Sequence, residues 1–220
     1  GELDPDLLAE GVGLLRIRSV YDLDGTATQD IPALADPAQS TAAQRPARFL
    51  RLGKAGAIPD EEVRDFDNAA FGATAGQGMR EVLGYTMVEP DGSVVVKVPA
   101  DVPFAISLLD ASGRRITPRH QNWLQLRAGE IRSCNGCHAP AGGLSHGRDG
   151  LFDPAWAGAT LDGQPFPNTN PAIFADSGET MAEARARISC ATDCAAIEPT
   201  VDIRFEDVWT DPVAAGRPAD

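Results

Sequence analysis

The sequence predicts a mainly β fold: a small antiparallel β-sandwich or meander with long Gly/Pro-rich loops and one or two short helices. Gly and Pro are frequent, at 22 and 17 of 220 residues, and helical periodicity is weak along most of the chain. Alternating apolar segments separated by turn residues recur between residues 83 and 127. Neither Gly nor Pro recurs at a fixed period, which excludes a fibrous repeat.

The first elements are short. The alternating segment LLRIRSVYDLD (14–24) predicts a strand, and ARFLRLG (47–53) predicts a second one. ADPAQSTAAQR (35–45) predicts a short helix that stops before Pro46. The run DLDGT that begins at Asp22 lacks the Glu that completes an EF-hand, so we interpret it as a solvated acidic loop.

The clearest pattern lies between residues 83 and 131. Asp91-Gly92 separates two alternating segments and predicts a hairpin, and Ser112-Gly113 predicts the next turn. HQNWLQLRAGEI (120–131) then predicts a further strand that ends in an Ala-Gly turn. These strands follow one another along the chain, which is typical of an antiparallel meander.

The last third is poorer in regular structure. Residues 139–178 predict a long loop. A short helix is expected from Ser177 to Arg187, with its N-cap at Ser177 or Thr180. The alternating segment TVDIRFEDV (200–208) predicts a final strand.

Charge and hydropathy exclude several classes of partner. With 19 basic and 32 acidic side chains the formal net charge is −13, which argues against nucleic acid and anionic membrane surfaces. No apolar run approaches the roughly 18 residues of a membrane span. The acidic N-terminus has no apolar h-region, so no signal peptide is expected within this chain.

The strongest motif is Cys134-Asn-Gly-Cys137-His138, the attachment signature of haem c. Each thiol adds to one haem vinyl group, and the two residues between them set the spacing of the sulfurs. The adjacent His138 is then held beneath the iron as its proximal ligand. The motif predicts one covalent haem, wrapped by the long loop that follows.

Three other interpretations of this motif stay open. A thioredoxin-like redox pair should follow a strand and open a helix. A zinc site could combine Cys134 and Cys137 with His146 and a later cysteine. The third alternative is a disulfide between Cys134 and Cys137.

The second cysteine pair has no histidine attached. Cys190 and Cys194 are close enough to bridge, and haem c is assembled in an oxidising compartment, so we expect a disulfide there. Two buried thiols are the alternative. The same argument predicts a periplasmic or extracellular location.

The distal iron ligand divides the function classes. A six-coordinate iron favours electron transfer, whereas an open position would favour an enzyme that acts on a small nitrogen or oxygen compound. Our first choice is His120, followed by Met181 and then His146. Met79 and Met87 are further candidates, and Trp123 is expected to pack on the haem.

Residues 92–140 resemble the middle domain of hydrazine-synthase alpha-subunit-like proteins, which are large exported multidomain c-type cytochromes. The matching phrases are DGSVVVKVPADVPFAISLLDASGRRI, a Trp five residues before Gly-Glu at 123–130, and CNGCHAP. The resemblance implies a Met in relatives at the position of His120. It also implies that hydrazine synthase itself uses a Tyr four residues after the motif His as distal ligand, where this chain has Gly142. Hydrazine chemistry is therefore not expected.

Together these observations predict three segments: an irregular or β segment at 1–82 that packs on the core, a meander with the haem-binding loop at 83–199, and a strand and tail at 200–220 that lead to an absent domain. We expect a fragment of a larger protein that acts in electron transfer. Its partner is expected to be a redox protein with a basic docking patch, or other haem domains of the parent chain.

Overall fold

The computed structural model describes residues 2–36, 38–56, 62, 80–118, 120, 122–139, 153–160, 164–166 and 174–189. Over these residues the protein is mainly β, as predicted, with three small sheets and few helices. In chain order the elements are α1 (Pro5–Glu10), β1 (Val12–Ile17), β2 (Asp22–Leu23), β3 (Thr26–Ala27), α2 (Ile31–Ala35), a 3₁₀ turn (Ala42–Gln44), β4 (Phe49–Ala55), β5 (Arg80–Met87), β6 (Val94–Pro99), β7 (Phe104–Leu109), β8 (Ile131–Cys134) and α3 (Met181–Ser189).

Strands from distant parts of the chain form the sheets. The first sheet has the order β6-β1-β8, with β1 antiparallel to β6 and parallel to β8. The second sheet has the order β5-β4-β7 and is antiparallel throughout. β2 and β3 form a two-stranded hairpin. The early strands β1 and β4 thus lie at the centres of the two larger sheets.

The predicted hairpin around Asp91-Gly92 is wrong, although the turn itself forms. The Gly92 N–H donates to the Glu89 carbonyl at 2.8 Å, yet β5 pairs with β4 while β6 pairs with β1. All residues of β6 except Pro99 are buried, and α3 packs against it. A strand that is buried along its length must pack against other elements on both faces. A strand that paired only with β5 in a hairpin would leave one face exposed.

The predicted strand at 120–131 is also wrong. Among its described residues, Leu124 forms an isolated bridge with Phe104 through two 2.8 Å hydrogen bonds, and Ile131 is already the first residue of β8. The chain then turns at Gly129 and forms β8, parallel to β1 rather than antiparallel to β7. The turn at Ser112-Gly113 is confirmed, because the Gly113 N–H donates to Asp110 and Leu109 bridges to Arg115.

Other local predictions have mixed outcomes. The strands predicted at 14–24 and 47–53 correspond to β1, β2 and β4. The helix predicted at 35–45 is only the 3₁₀ turn, since α2 ends at Ala35, two residues before Pro37. Helix α1 was not predicted, although its signals are present: the Asp4 side chain accepts from two helix N–H groups and Gly11 closes the helix at φ 71°.

Thr180, one of the two residues predicted as the N-cap, is the residue that caps helix α3. The Thr180 N–H donates to the Glu183 carboxylate at 3.0 Å, and the Glu183 N–H returns a bond to the Thr180 hydroxyl at 3.4 Å. The described parts of 139–178 carry one isolated bridge, between Pro165 and Phe174, and no strand or helix. The strand predicted at 200–208 lies outside the described residues, and the segment boundaries at 82 and 199 stay predictions.

One apolar core joins the two larger sheets. Its fully buried members come from β1, β4, β6 and β7, with Ile31 from α2 and Leu126 from the segment before β8. The cysteines of the CNGCH motif pack against this cluster from outside. In the described part of the chain, helices are too short or too polar for a membrane span.

Candidate functional site

The CNGCH motif lies along the segment that follows β1. β8 ends at Cys134, and the next residues run beside 18–24 with backbone bonds at each step. The Arg18 N–H donates to Cys134 O at 2.8 Å, the Cys137 N–H donates to Asp22 O at 2.7 Å, and the Asp24 N–H donates to Cys137 O at 3.1 Å. Backbone hydrogen bonds therefore hold the motif against residues 18–24, and the side chains of the motif are not needed for that attachment.

Gly136 is required by this close approach. A Cβ added there would lie 2.4 Å from the Asp22 carbonyl oxygen and 2.7 Å from that of Ser19. Both neighbours are backbone atoms that cannot rotate away. Gly136 thus allows the loop between the cysteines to pack closely against residues 19–22.

No bond joins the Sγ atoms of Cys134 and Cys137 in the structure. The Cys137 thiol lies 3.5 Å from the Val20 carbonyl, and burial, with the carboxylate of Asp22 adding to it, raises its pKa to about 11. A thioredoxin-like site needs a helix that begins at the motif, but the described residues 135–139 are irregular.

His138 is exposed and its ring is oriented by the backbone. Nδ1 lies 3.2 Å from Ala139 O, and the Ala139 N–H donates to the Asp24 carboxylate at 2.9 Å. With Nδ1 turned to a carbonyl, Nε2 is the nitrogen available to a ligand. The run that begins at Asp22 is a tight turn with Asp24 at φ 50° and Gly25 at φ 82°. The solvated-loop interpretation is right for the exposed Asp24 and wrong for Asp22, which is completely buried.

His120, our first choice for the distal position, faces His138. Their ring centroids are 6.4 Å apart and their planes are inclined by 75°. Burial lowers the pKa of His120, and the positive charges of His138 and Arg80 act in the same direction, against an opposing interaction with the Asn122 backbone. Nδ1 of His120 is buried and has no hydrogen-bond partner among the described residues. The lowered pKa favours the neutral imidazole, which is the form that can bind a metal.

The spacing of the pair can be compared with that of two ligands on one metal. An imidazole nitrogen binds a metal at about 2.0 Å, which puts the ring centroid about 3.2 Å from the metal. Two imidazoles on opposite sides of one metal would therefore have centroids about 6.4 Å apart. The observed 6.4 Å would allow His120 and His138 to hold one iron between them, and it is also an ordinary distance for two rings in edge contact.

Arg80 and Trp123 flank His120, and sequence reasoning identified only Trp123. The Arg80 guanidinium carbon lies 4.5 Å from the centroid of a Trp123 ring, and its Nη2 donates to the His120 carbonyl at 3.0 Å. Arg80 starts β5 and is forty positions before His120 in the sequence. No local pattern marks such a contact, so sequence alone could not have found it.

Among the described contacts, none joins the other predicted iron ligands to the His120–His138 pair. Met181 begins α3, where its N–H donates to Asp91 at 2.9 Å. Met87 ends β5 with 45% of its surface exposed. Met79, His146, Cys190 and Cys194 lie outside the described residues, so the zinc set with His146 and the second disulfide are untested. Within the described residues no three His, Cys, Asp or Glu side chains form a metal-binding group.

A second polar cluster lies beside the β6-β1-β8 sheet, near the start of β6. We call Asp91, Ser93, Ser19, Trp156 and the first turn of α3 the Asp91 cluster. Its bonds to the fully buried Asp91 carboxylate come from the Ser93 N–H, the Ser93 hydroxyl, the Trp156 indole N–H and the Met181 N–H, at 2.5 to 3.0 Å. Ser19 donates to the Asp91 carbonyl at 2.7 Å. Burial raises the pKa of Asp91, and these bonds oppose the increase. This cluster ties α3 and Trp156 to the turn before β6.

Comparison with known proteins finds a family match for the part of the chain that runs from just before β4 to the CNGCH motif. Residues 46–139 match the family model described as hydrazine synthase alpha subunit middle domain. Of this chain, 59 residues are 39% identical to the hydrazine synthase subunit alpha of Kuenenia stuttgartiensis. That match covers 27% of this chain and 7% of the relative. The resemblance inferred from residues 92–140 is therefore confirmed, and the family match begins earlier, at residue 46.

A solved structure also resembles the chain. Kuenenia stuttgartiensis hydrazine synthase matches with a TM-score of 0.41 and 21% identity. The match covers 63% of this chain and 19% of that chain. The chain therefore spans a small part of both relatives.

Proposed function

From the premise that residues 46–139 are a hydrazine synthase alpha-like middle domain, we propose that this chain is a monohaem c-type electron-transfer domain. Cys134 and Cys137 would hold the haem covalently, and His138 and His120 would be the two iron ligands. The observation that carries the proposal is the CNGCH motif, because its two cysteines and adjacent histidine are the residues that attach haem c. The 6.4 Å between the ring centroids of His120 and His138 supports His120 as the second ligand.

The residues around the pair have definable roles. The Ala139 carbonyl fixes the His138 tautomer, and Asp24 fixes Ala139. Burial keeps His120 neutral, because the folded protein disfavours its protonation. Haem c, when bound, supplies a one-electron iron couple whose potential depends on the axial ligands and on burial.

Electron transfer is favoured over catalysis because His138 and His120 together would leave the iron without an open position. An enzyme acting on a small nitrogen or oxygen compound needs one open position. The chain also has Gly142 where the family resemblance implies a Tyr for hydrazine chemistry. The activity of the whole relatives is therefore not transferred to this chain.

Partners and location follow from the same proposal. The formal charge of −13 favours a redox partner with a basic patch, whose association slows as salt rises. The relative is named as a subunit, so haem domains of a larger assembly are the other natural partners. Because haem c is assembled in an oxidising compartment, we place the protein in the periplasm or outside the cell, with Cys190 and Cys194 bridged.

The test of attachment is a denaturing gel with haem staining, from a strain that matures haem c. Wild-type protein should keep the stain, and a Cys134→Ser, Cys137→Ser variant should lose it. An unstained wild-type band would overturn the proposal.

The test of ligation is the visible spectrum of the ferric protein. Wild-type should be low-spin, His120→Ala should become high-spin, and Met181→Ala should stay low-spin. The opposite result for the two variants would transfer the distal position to Met181. A high-spin wild-type protein would favour the enzyme alternative with an open position.

A further inference from the structure

The described residues around His120 make few backbone hydrogen bonds. Among the described residues, no backbone–backbone hydrogen bond joins residues 118–123 to a strand. The first such bonds appear at Leu124, which pairs with Phe104 at 2.8 Å in both directions. His120 is four positions away from that anchor, so its ring needs another source of order.

Arg80 supplies contacts at both ends of this segment. Its guanidinium lies 4.5 Å from a Trp123 ring centroid, and its Nη2 donates to the His120 backbone carbonyl at 3.0 Å. Arg80 itself belongs to β5, where it pairs with Ala55 of β4. One side chain thus ties the His120 segment to a regular sheet.

We propose that Arg80 is a positioning residue for His120, holding its imidazole opposite His138 by stacking on Trp123 and bonding to the His120 carbonyl. This inference rests on the proposed bis-histidine haem site. It assigns to Arg80 a role in keeping the distal ligand on the iron, and to Trp123 the role of the platform on which Arg80 rests.

The chemistry of arginine suits both contacts. Guanidinium is planar, so one face can lie on an indole while an edge N–H donates to a carbonyl. Lysine offers a point charge without a stacking plane, and glutamine offers a donor without the charge. Arg80→Lys therefore tests the positive charge without the planar group, and Arg80→Gln tests a hydrogen-bond donor without the charge.

The probe is carbon monoxide, which binds ferrous haem only when the distal ligand has left the iron. Loss of one cation–π contact and one carbonyl bond should raise the ligand-off population, and so the CO association rate, roughly tenfold in Arg80→Gln. Arg80→Lys should show an intermediate increase. His120→Ala sets the upper limit, since its distal position is always open.

Arg48→Gln is the matched control. Arg48 also donates to a carbonyl, that of Ala42 at 2.9 Å, but it belongs to another part of the chain. We expect its CO association rate and ferric spectrum to equal those of the wild type. A general loss of stability would change both arginine variants, whereas positioning of His120 changes only Arg80.

The outcomes are distinguishable. If His120→Ala binds CO faster than wild-type and Arg80→Gln does not, Arg80 has no positioning role and the proposed function stands. If wild-type protein carries no haem, or His120→Ala leaves CO binding unchanged, the ligand assignment fails and the Arg80 role fails with it. Should Arg80→Gln not fold, Trp123→Leu removes the platform instead, and an unchanged CO rate there overturns the proposal.

Discussion

The Asp91 cluster and the His120–His138 pair both place polar groups beside the apolar core, yet they differ in how those groups are satisfied. The Asp91 carboxylate accepts four hydrogen bonds from three parts of the chain and is completely buried. His120 has a buried nitrogen without a partner in the described residues, and His138 is exposed. The Asp91 cluster thus stabilises the fold through its own hydrogen bonds, whereas the His120–His138 pair is the place where we propose that haem binds.

We expect the largest loss of stability from a substitution in the Asp91 cluster. Asp91→Ala removes the acceptor of four bonds and leaves the buried Ser93 and the half-buried Trp156 and Met181 N–H groups without this partner. We expect the free energy of unfolding to fall by about 3–5 kcal/mol, measured by urea denaturation.

Asp110→Ala is its control. Asp110 also accepts from two turn N–H groups, of Ser112 and Arg114, but at the surface. Its loss should cost about 1 kcal/mol. Equal effects of the two variants would contradict the importance of the Asp91 cluster.

The next effect concerns the thiol of the motif. Because the pKa of Cys137 is about 11 rather than 9.0, its thiolate fraction below pH 9 should be about 100-fold smaller than in an unperturbed cysteine. Alkylation of Cys137 by iodoacetamide at pH 8, in protein made without haem, should be slower by about that factor than in urea-unfolded protein. The rate should increase with pH up to about 11; equal rates in folded and unfolded protein at pH 8 would exclude the packed thiol.

A smaller loss of stability is expected where the motif touches β2. Gly136→Ala places a methyl group 2.4 Å from the Asp22 carbonyl, so the loop must move away from the 19–22 segment. We expect a loss of about 2 kcal/mol, together with a lower yield of covalent haem.

Gly113→Ala is the comparison for Gly136. Gly113 has φ 74° and nothing within 4 Å of an added Cβ, so only the backbone conformation is strained. That variant should lose about 1 kcal/mol and keep the haem yield. A larger loss at Gly113 than at Gly136 would contradict the close approach of the motif to β2.

The smallest effect is expected at the histidine pair. His120→Leu replaces a buried nitrogen that lacks a partner with an apolar group, so the haem-free protein should keep its free energy of unfolding or gain up to about 1 kcal/mol. Leu126→Ala, at a fully buried core position, should cost about 2–4 kcal/mol in the same assay. A loss at His120 as large as that at Leu126 would make His120 a structural residue.

Local signals in the sequence were sufficient for individual elements and for the motif. The strands β1 and β4, the Ser112-Gly113 turn and the Thr180 cap of α3 each depend on a few adjacent residues, and all are found in the structure. The CNGCH motif and the phrases around it predicted the resemblance that the family match over residues 46–139 confirms. The sequence predicted His120 as the distal ligand; the structure brings its ring centroid to 6.4 Å from that of His138, and its role as a ligand stays a prediction.

What the sequence by itself determined is therefore the mainly β class, the capped helix, the turns and the CNGCH motif, because each is encoded within a few neighbouring residues. The tertiary structure alone decided that β5 and β6 separate into two sheets, that β8 pairs in parallel with β1, and that Arg80 reaches His120. Strand propensity does not specify which edge a strand pairs with, since that depends on which faces the rest of the chain can bury.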